Sequence, residues 1–307
     1  MERDDFLNIK RMLMVMCCTF LVTSLITPAI SAREEFDIVE AKQELVNRAS
    51  LKSKNLVEIN VDIDYTLAKL TAEAKDEEEI TDVMESLGVY KLEIPKEYND
   101  EFLGALAIDN SNITMTKPNI YYDSNSKEWV VVGGGYWKND NWIEHNPLVW
   151  PGIGRVGETY NVGGVEGFGV GYTSMGGTYK SKINSVYGYI SDGNGNEVTT
   201  SNRSDGDGSK GFGFQIQDKI RVKKTWLGIT PTTEYFSYIG KHFAGLARYS
   251  SDFSSSTGVA TTYYVHTWNS TSIDSVKFGV SSKTAGVDVS YKNAGSSFPA
   301  FSNDVRF

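Results

Sequence analysis

The part of the chain from Asp109 to Phe307 is a succession of short runs rich in Val, Tyr, Phe, Ser and Thr, each bounded by Gly, Asn or Asp. The runs recur at intervals of roughly 10–20 residues, and no helical period of useful length interrupts them. Turn sequences at 123–126 and 192–196 are flanked by such runs, as hairpins require. The pattern predicts an antiparallel β-sandwich or barrel-like domain and argues against a parallel α/β enzyme fold.

The composition changes near residue 108. The segment 33–108 carries 19 acidic and 9 basic residues and two of the 29 glycines, whereas 109–307 carries 17 acidic and 18 basic residues and all six tryptophans. Apolar residues at helical spacing predict one helix that begins near Ile63 and a second that ends at Gly88. We therefore predict an acidic α-helical segment with a linker at 33–108, followed by a β domain at 109–307.

The N-terminus has the pattern of an export signal. Lys10 and Arg11 precede an apolar stretch of 15 residues, Met12–Ile26, which is shorter than the ~20 residues of a membrane-spanning helix. A small residue, Ala32, stands where a signal peptidase cleaves. We predict a signal peptide at 1–32 and a secreted, extracellular product that can associate with the cell wall; an uncleaved anchor is the alternative.

Several chemistries are excluded by residue usage. Both cysteines, Cys17 and Cys18, fall within the predicted signal peptide, so the mature protein has no thiol nucleophile, disulfide or cysteine-ligated metal. The net charge is −9 and no block of Lys or Arg occurs, which argues against a nucleic-acid partner.

An aromatic cluster is the strongest indication of a binding site. Tyr136, Trp137, Trp142 and Trp150 lie close together in the sequence, with the polar Asp140 among them. Aromatic faces can stack on sugar rings while Asp or Asn side chains bind hydroxyl groups, so a cell-wall glycan or another polysaccharide is the predicted ligand. Packing in a sheet core is the alternative for the same residues.

Candidates for acid–base catalysis are weak. Glu144 and His145 are adjacent in the tryptophan-rich segment, and Glu158 follows it. Adjacent residues of an extended segment point to opposite faces, which weakens a joint role. A secreted hydrolase based on carboxylates is nevertheless an alternative hypothesis, because paired acids can be distant in sequence and close in space.

Two loops carry oxygen ligands at alternating positions. These residues are Asp192, Asn194 and Asn196 in one loop and Asp205 and Asp207 in the other. Alternating carboxylates and amides can deliver several ligands to one calcium ion, although neither loop matches an EF-hand. Tight turns favour the same residues. We expect no cofactor, with calcium at these loops as the exception.

Two further segments need an explanation. Gly167, Gly169 and Gly171 alternate, which predicts that they clear one face of a strand for close packing. The Ser- and Thr-rich segment Tyr249–Trp268 has a composition similar to the amphipathic hairpins of pore-forming toxins. Membrane contact is expected only if that hypothesis holds, with the acidic segment then acting as a pro-region.

The helical acidic segment ends in the sequence Glu78–Val89, and a β region rich in Gly, Tyr and Trp follows it. In this layout the chain resembles uncharacterised exported proteins of spore-forming Gram-positive bacteria. The resemblance implies export and supplies no catalytic residue. The hypothesis favoured by the sequence is an exported, non-catalytic binding or wall-associated β module.

Overall fold

The computed structural model describes residues 36–52, 61–100, 112–139, 159–173, 182–227, 230–268, 271–278, 286–293 and 295–307. The chain divides into a unit of Met1–Phe36, of which only Phe36 is described, and a compact unit of Asp37–Phe307. The predicted signal peptide lies outside the described residues. The change of composition near residue 108 falls within the second unit and does not separate two units.

The described part of the acidic segment is largely helical. It forms α1 (Ile38–Lys52), α2 (Ile63–Ala72), α3 (Glu77–Ser86) and the short α4 (Lys96–Asp100). Between α3 and α4 the chain also contributes a strand, β1 (Val89–Lys91), which pairs with the β domain. The acidic segment is therefore built into the sheet as well as packed on it.

Acidic caps and a glycine set the ends of α2 and α3. The Asp62 carboxylate accepts a hydrogen bond from the backbone N–H of Tyr65 at 3.0 Å, and Asp76 accepts one from Glu78 at 2.8 Å. The acidic run that follows Asp76 occupies the first turn of α3, where the helix dipole favours negative charge. Gly88 follows α3 with φ 82°, a conformation that glycine adopts without strain. The predicted helical spacing and the predicted stop at Gly88 are confirmed.

The remaining strands form two antiparallel sheets and a separate hairpin. Sheet 1 has the order β1, β2 (Ile113–Asp123), β3 (Glu128–Trp137), β9 (His242–Tyr249), β5 (Ile183–Ser191), β6 (Glu197–Thr200). Sheet 2 has the order β13 (Ser297–Phe301), β10 (Val259–Thr267), β4 (Thr159–Thr173), β7 (Gly211–Leu227), β8 (Thr230–Ile239), and β14 (Val305–Arg306) also pairs with β10. Strands β11 (Ser272–Phe278) and β12 (Val287–Lys292) form the hairpin.

The two sheets face each other as a sandwich with an aromatic interface. The rings of Phe168 and Phe214 stack at 5.4 Å, and those of Phe243 and Tyr264 at 4.4 Å. A Cβ atom at Gly188 would lie 2.8 Å from the Phe214 ring, so glycine is what allows the sheets to approach here. The predicted mainly β, antiparallel fold is confirmed, and the sandwich is the architecture that the sheets adopt.

Helices α2 and α3 cover the outer face of sheet 1. Leu67, Ile80 and Met84 are buried against Val130 and Leu246 of strands β3 and β9. Burial of a Leu or Met side chain stabilises a fold by about 1.5–3 kcal/mol relative to exposure. The helices therefore complete a core that sheet 1 cannot bury alone.

The β11–β12 hairpin covers the outer face of sheet 2. Ile273 and Val287 pack there against Val265 of β10. A Cβ atom at Gly167 of β4 would lie 2.8 Å from the Ile273 Cδ1 atom. The prediction that alternating glycines clear a strand face for close packing is confirmed at Gly167.

A buried arginine connects α2 to sheet 1. Arg248 of β9 donates to Asp64 of α2 at 2.7 Å, to Asp123 at 2.8 Å and to Glu128 at 3.3 Å. The side chain of Asp123 is 2% exposed and that of Arg248 is 9% exposed. Loss of the arginine would leave a buried carboxylate without its cation.

We predict that Arg248→Met lowers the free energy of unfolding by about 3–5 kcal/mol, because breaking a buried ion pair leaves the partner carboxylate buried without a cation. Urea denaturation monitored by circular dichroism measures this change. Lys292→Met is the matched control, because it removes an exposed ion pair with Asp274 (3.4 Å) and should cost about 1 kcal/mol or less. Equal losses in the two variants would contradict the prediction.

A buried lysine connects α1 to the C-terminal part of the chain. The Lys42 Nζ atom donates to the carbonyl oxygen of Ser256 at 2.6 Å and lies 4.5 Å from the Phe253 ring and 5.0 Å from the Phe307 ring. The residue is fully buried. Burial penalises the ammonium form and lowers the pKa of Lys42 from 10.5 to about 7.

Lys42 should make stability depend on pH. Between pH 7 and about 10 the unfolded chain keeps the Lys42 proton and the folded chain releases it, so the free energy of unfolding rises with pH in this window, by at most ~1.4 kcal/mol per unit. We predict that the unfolding free energy of wild type minus that of Lys42→Met increases from pH 7 to pH 10. Urea denaturation at several pH values measures it, and a difference that is constant with pH would refute the assignment.

Candidate functional site

The described members of the predicted aromatic site lie at the end of β3. Trp137 is 3% exposed, and its Nε1–H donates to the Tyr264 hydroxyl at 3.1 Å. Tyr136 is half-buried and meets the ring of His242 edge-on at 5.8 Å. Trp137 thus packs between the sheets and presents no open face to a sugar.

The other members of that site and the weak catalytic candidates have no described position. Asp140, Trp142, Glu144, His145, Trp150 and Glu158 lie outside the described residues. Their predicted roles in glycan stacking and acid–base catalysis stay predictions.

The first loop considered for calcium is a hydrogen-bonded turn. The Asp192 carboxylate accepts from the backbone N–H groups of Asn194 (2.7 Å) and Asn196 (3.1 Å) and from the Asn196 side-chain amide (2.5 Å). The Asn196 Oδ1 atom accepts from Arg221 at 2.8 Å. These oxygens are engaged by the protein itself, as tight turns require.

The acids of the second loop face different partners. Asp205 accepts from the Gln215 side chain at 2.8 Å and from the Val276 backbone at 3.1 Å. Asp207 accepts from the backbone N–H and the hydroxyl of Ser209. Calcium binding at either loop stays a prediction, and the described contacts are those of turns.

A cleft of about 360 Å³ lies where β5 and β6 of sheet 1 meet β7 of sheet 2. Val198 and Ile216 contribute apolar surface above the buried Phe168 and Ile190. The polar lining residues are Thr199, Thr200, Asn202, Arg203, Ser204, Gln215, Gln217 and Lys219. Small-molecule sites have this volume and this mixture of apolar lining with a few polar groups.

Strand β7 holds the polar side of the cleft in place. The backbone N–H of Ser204 donates to the Gly213 carbonyl at 2.9 Å, and the Ser204 hydroxyl accepts from the Gln215 N–H at 2.8 Å. The Gln217 side-chain amide donates to the carbonyl of Gly164 at 3.3 Å. The loop that carries Arg203 is thereby attached to a long paired strand, whereas Arg203 itself is exposed.

A second cluster is fully buried between the sheets. Glu166 of β4, Asp218 of β7 and His266 of β10 come from three neighbouring strands of sheet 2 and are 0%, 1% and 3% exposed. Their potential metal-binding atoms lie within 4.8 Å of one another. His266 Nδ1 contacts Glu166 Oε1 and lies 3.9 Å from Asp218 Oδ2. We name Glu166, Asp218 and His266 the acid–histidine cluster.

The surroundings of the acid–histidine cluster orient Glu166. Its carboxylate accepts hydrogen bonds from the Tyr264 hydroxyl and, at 3.3 Å, from the backbone N–H of Thr267. The rings of Trp137 and Trp268 flank the His266 ring at 5.1 and 5.6 Å. Aromatic side chains thus surround a group of three ionisable residues.

Burial changes the protonation of the cluster. It raises the pKa of Glu166 to about 7, although hydrogen bonds from Asp218, Tyr264 and Thr267 act in the opposite direction. Burial also lowers the pKa of His266 to about 4, against the influence of the Asp218 charge. At neutral pH the imidazole is therefore neutral and can act as a metal ligand.

The sequence contains a signal for this cluster that is not one of the motifs described above. Inward-facing positions of β7 read Phe212, Phe214, Ile216, Asp218 and Ile220, so a charged residue interrupts an apolar alternation. Glu166 interrupts β4 and His266 interrupts β10 in the same way. An ionisable residue at a buried register position, repeated on three strands, would have identified the group.

Comparison with known proteins identifies no family for this chain. The chain matches no protein-family model, and a search of the curated proteins finds no match. The functional inference therefore depends on the geometry of the cleft and of the acid–histidine cluster.

Proposed function

We propose that the chain is an exported, non-catalytic binding module that takes a polar, carbohydrate-like ligand, such as a cell-wall glycan, in the cleft beside β7. The observation that supports this proposal is the cleft, which has a volume of about 360 Å³ and a lining of amide, hydroxyl and cationic groups over apolar surface. Asn202 and Gln217 can exchange hydrogen bonds with hydroxyl groups, and Arg203 can pair with an acidic substituent. Export is proposed from the N-terminal sequence pattern.

The structure removes one support of the membrane-acting alternative. The Ser- and Thr-rich segment contains β10, and all nine residues of Val259–Thr267 are buried. Strand β10 pairs with β4 on one side and with β13 and β14 on the other. As a separate finding, no helix within the described ranges is both long and apolar enough to cross a bilayer.

We predict that the full chain co-sediments with purified Gram-positive cell wall and that the double substitution Asn202→Ala, Arg203→Ala weakens this binding about tenfold or more. The reason is that each lost hydrogen bond to a charged or polar group reduces binding free energy. Binding isotherms from the pelleted fraction give the dissociation constants.

Arg48→Ala is the matched control, because Arg48 is an exposed arginine of α1 outside the cleft. It should bind the cell wall like wild type. Liposomes form the second arm, and pelleting with liposomes alone would favour the membrane-acting hypothesis. Equal binding by the cleft variant and the control would refute the assignment of the cleft.

A further inference from the structure

The acid–histidine cluster is not explained by the proposed binding function. Its three side chains are sealed between the sheets, so none of them can contact a ligand held at the surface. We propose that Glu166, Asp218 and His266 bind one divalent transition-metal ion, with zinc as the first candidate. This inference is independent of the cleft and of the ligand that occupies it.

The geometry of the three side chains suits a single ion. Bonds of about 2.0–2.2 Å from zinc to oxygen and nitrogen place the ligands of a tetrahedral site roughly 3.3–3.6 Å apart. The observed atoms lie within 4.8 Å of one another, and His266 Nδ1 is 3.9 Å from Asp218 Oδ2. Side-chain shifts of about 1 Å would bring all three to bonding distance of one centre.

An unsatisfied polar atom points to a missing partner. The Nε2 atom of His266 makes no hydrogen bond with a described residue, although the residue is only 3% exposed, whereas its Nδ1 atom contacts Glu166. Buried polar atoms without a partner are costly and rare in native proteins. A metal ion would take one imidazole nitrogen as a ligand and would satisfy it.

Charge balance points in the same direction. The cluster holds two carboxyl groups and an imidazole within 4.8 Å of one another in the interior. An uncompensated buried charge is expensive. A divalent cation would neutralise Glu166 and Asp218 together.

The surrounding residues have the form of a supporting shell. Tyr264 donates to Glu166 and receives a hydrogen bond from Trp137, and the Thr267 backbone fixes the same carboxylate. Metal-ligating carboxylates are held in this way by outer hydrogen bonds. All of these groups lie on the strands β3, β4 and β10, so the ligands are positioned by paired backbone.

The ligand types select the class of metal. Imidazole with two carboxylates is suited to zinc and neighbouring transition metals. Calcium requires six to eight oxygen ligands, which this cluster does not supply among the described residues. The site is therefore distinct from the calcium prediction made for the Asp-rich loops.

The test measures the metal content of the full chain, expressed with zinc and dialysed, by inductively coupled plasma mass spectrometry. We expect about one zinc per chain in wild type and at least a tenfold lower content in Glu166→Gln and in His266→Gln. Zinc should also raise the melting temperature of the metal-free wild type but not that of Glu166→Gln. Wild type that holds no zinc contradicts the proposal even if a variant fails to fold.

His242→Gln is the matched control, because His242 packs on Tyr136 and does not belong to the cluster. It should retain zinc at the wild-type stoichiometry. Wild type without bound zinc, or zinc content that persists in both cluster variants, would overturn the proposal.

Discussion

The close approach of the two sheets is the constraint on which the rest of the structure depends. Phe214 of β7 lies against Gly188 and Gly245, and a Cβ atom at either glycine would come within 3 Å of its ring. Gly133 provides the same clearance opposite Thr262 and Val170. Because the aromatic side chains fill this narrow space, little room remains for water between the sheets, and any ionisable group there is sealed from solvent.

The outer layers follow from the same constraint. A sheet whose inner face is filled by rings still has an apolar outer face, which needs a cover. Helices α2 and α3 provide it for sheet 1, and the β11–β12 hairpin provides it for sheet 2. The acidic composition of the first third therefore marks an outer layer of one compact unit. Arg248 of β9 joins that layer to sheet 1, and Lys42 joins it to the C-terminal part of the chain at Ser256.

Local patterns were predictable from the sequence, and contacts between distant strands were not. The spacing around Ile80, the stop at Gly88 and the clearing role of Gly167 depend on neighbours in sequence or on a single face, and all three are confirmed. Trp137 illustrates the limit, because an aromatic residue in a Gly-rich strand has the same pattern whether it faces a ligand or the opposite sheet. Glu166 and His266 meet because β4 and β10 are neighbours, although 100 residues separate them in the sequence, and sequence alone does not give that pairing.

The acid–histidine cluster occupies a place where stability alone would favour other residues. Buried ionic groups can often be replaced by well-packed apolar side chains without loss of stability, and sometimes with a gain. The neighbouring inward positions of the same strands, Phe168, Ile216 and Tyr264, show that this interior accommodates large apolar and aromatic side chains. Three ionisable side chains on adjacent strands are therefore not what packing requires. A bound cation accounts for the close grouping of two carboxyl groups and an imidazole in the interior, whereas packing does not.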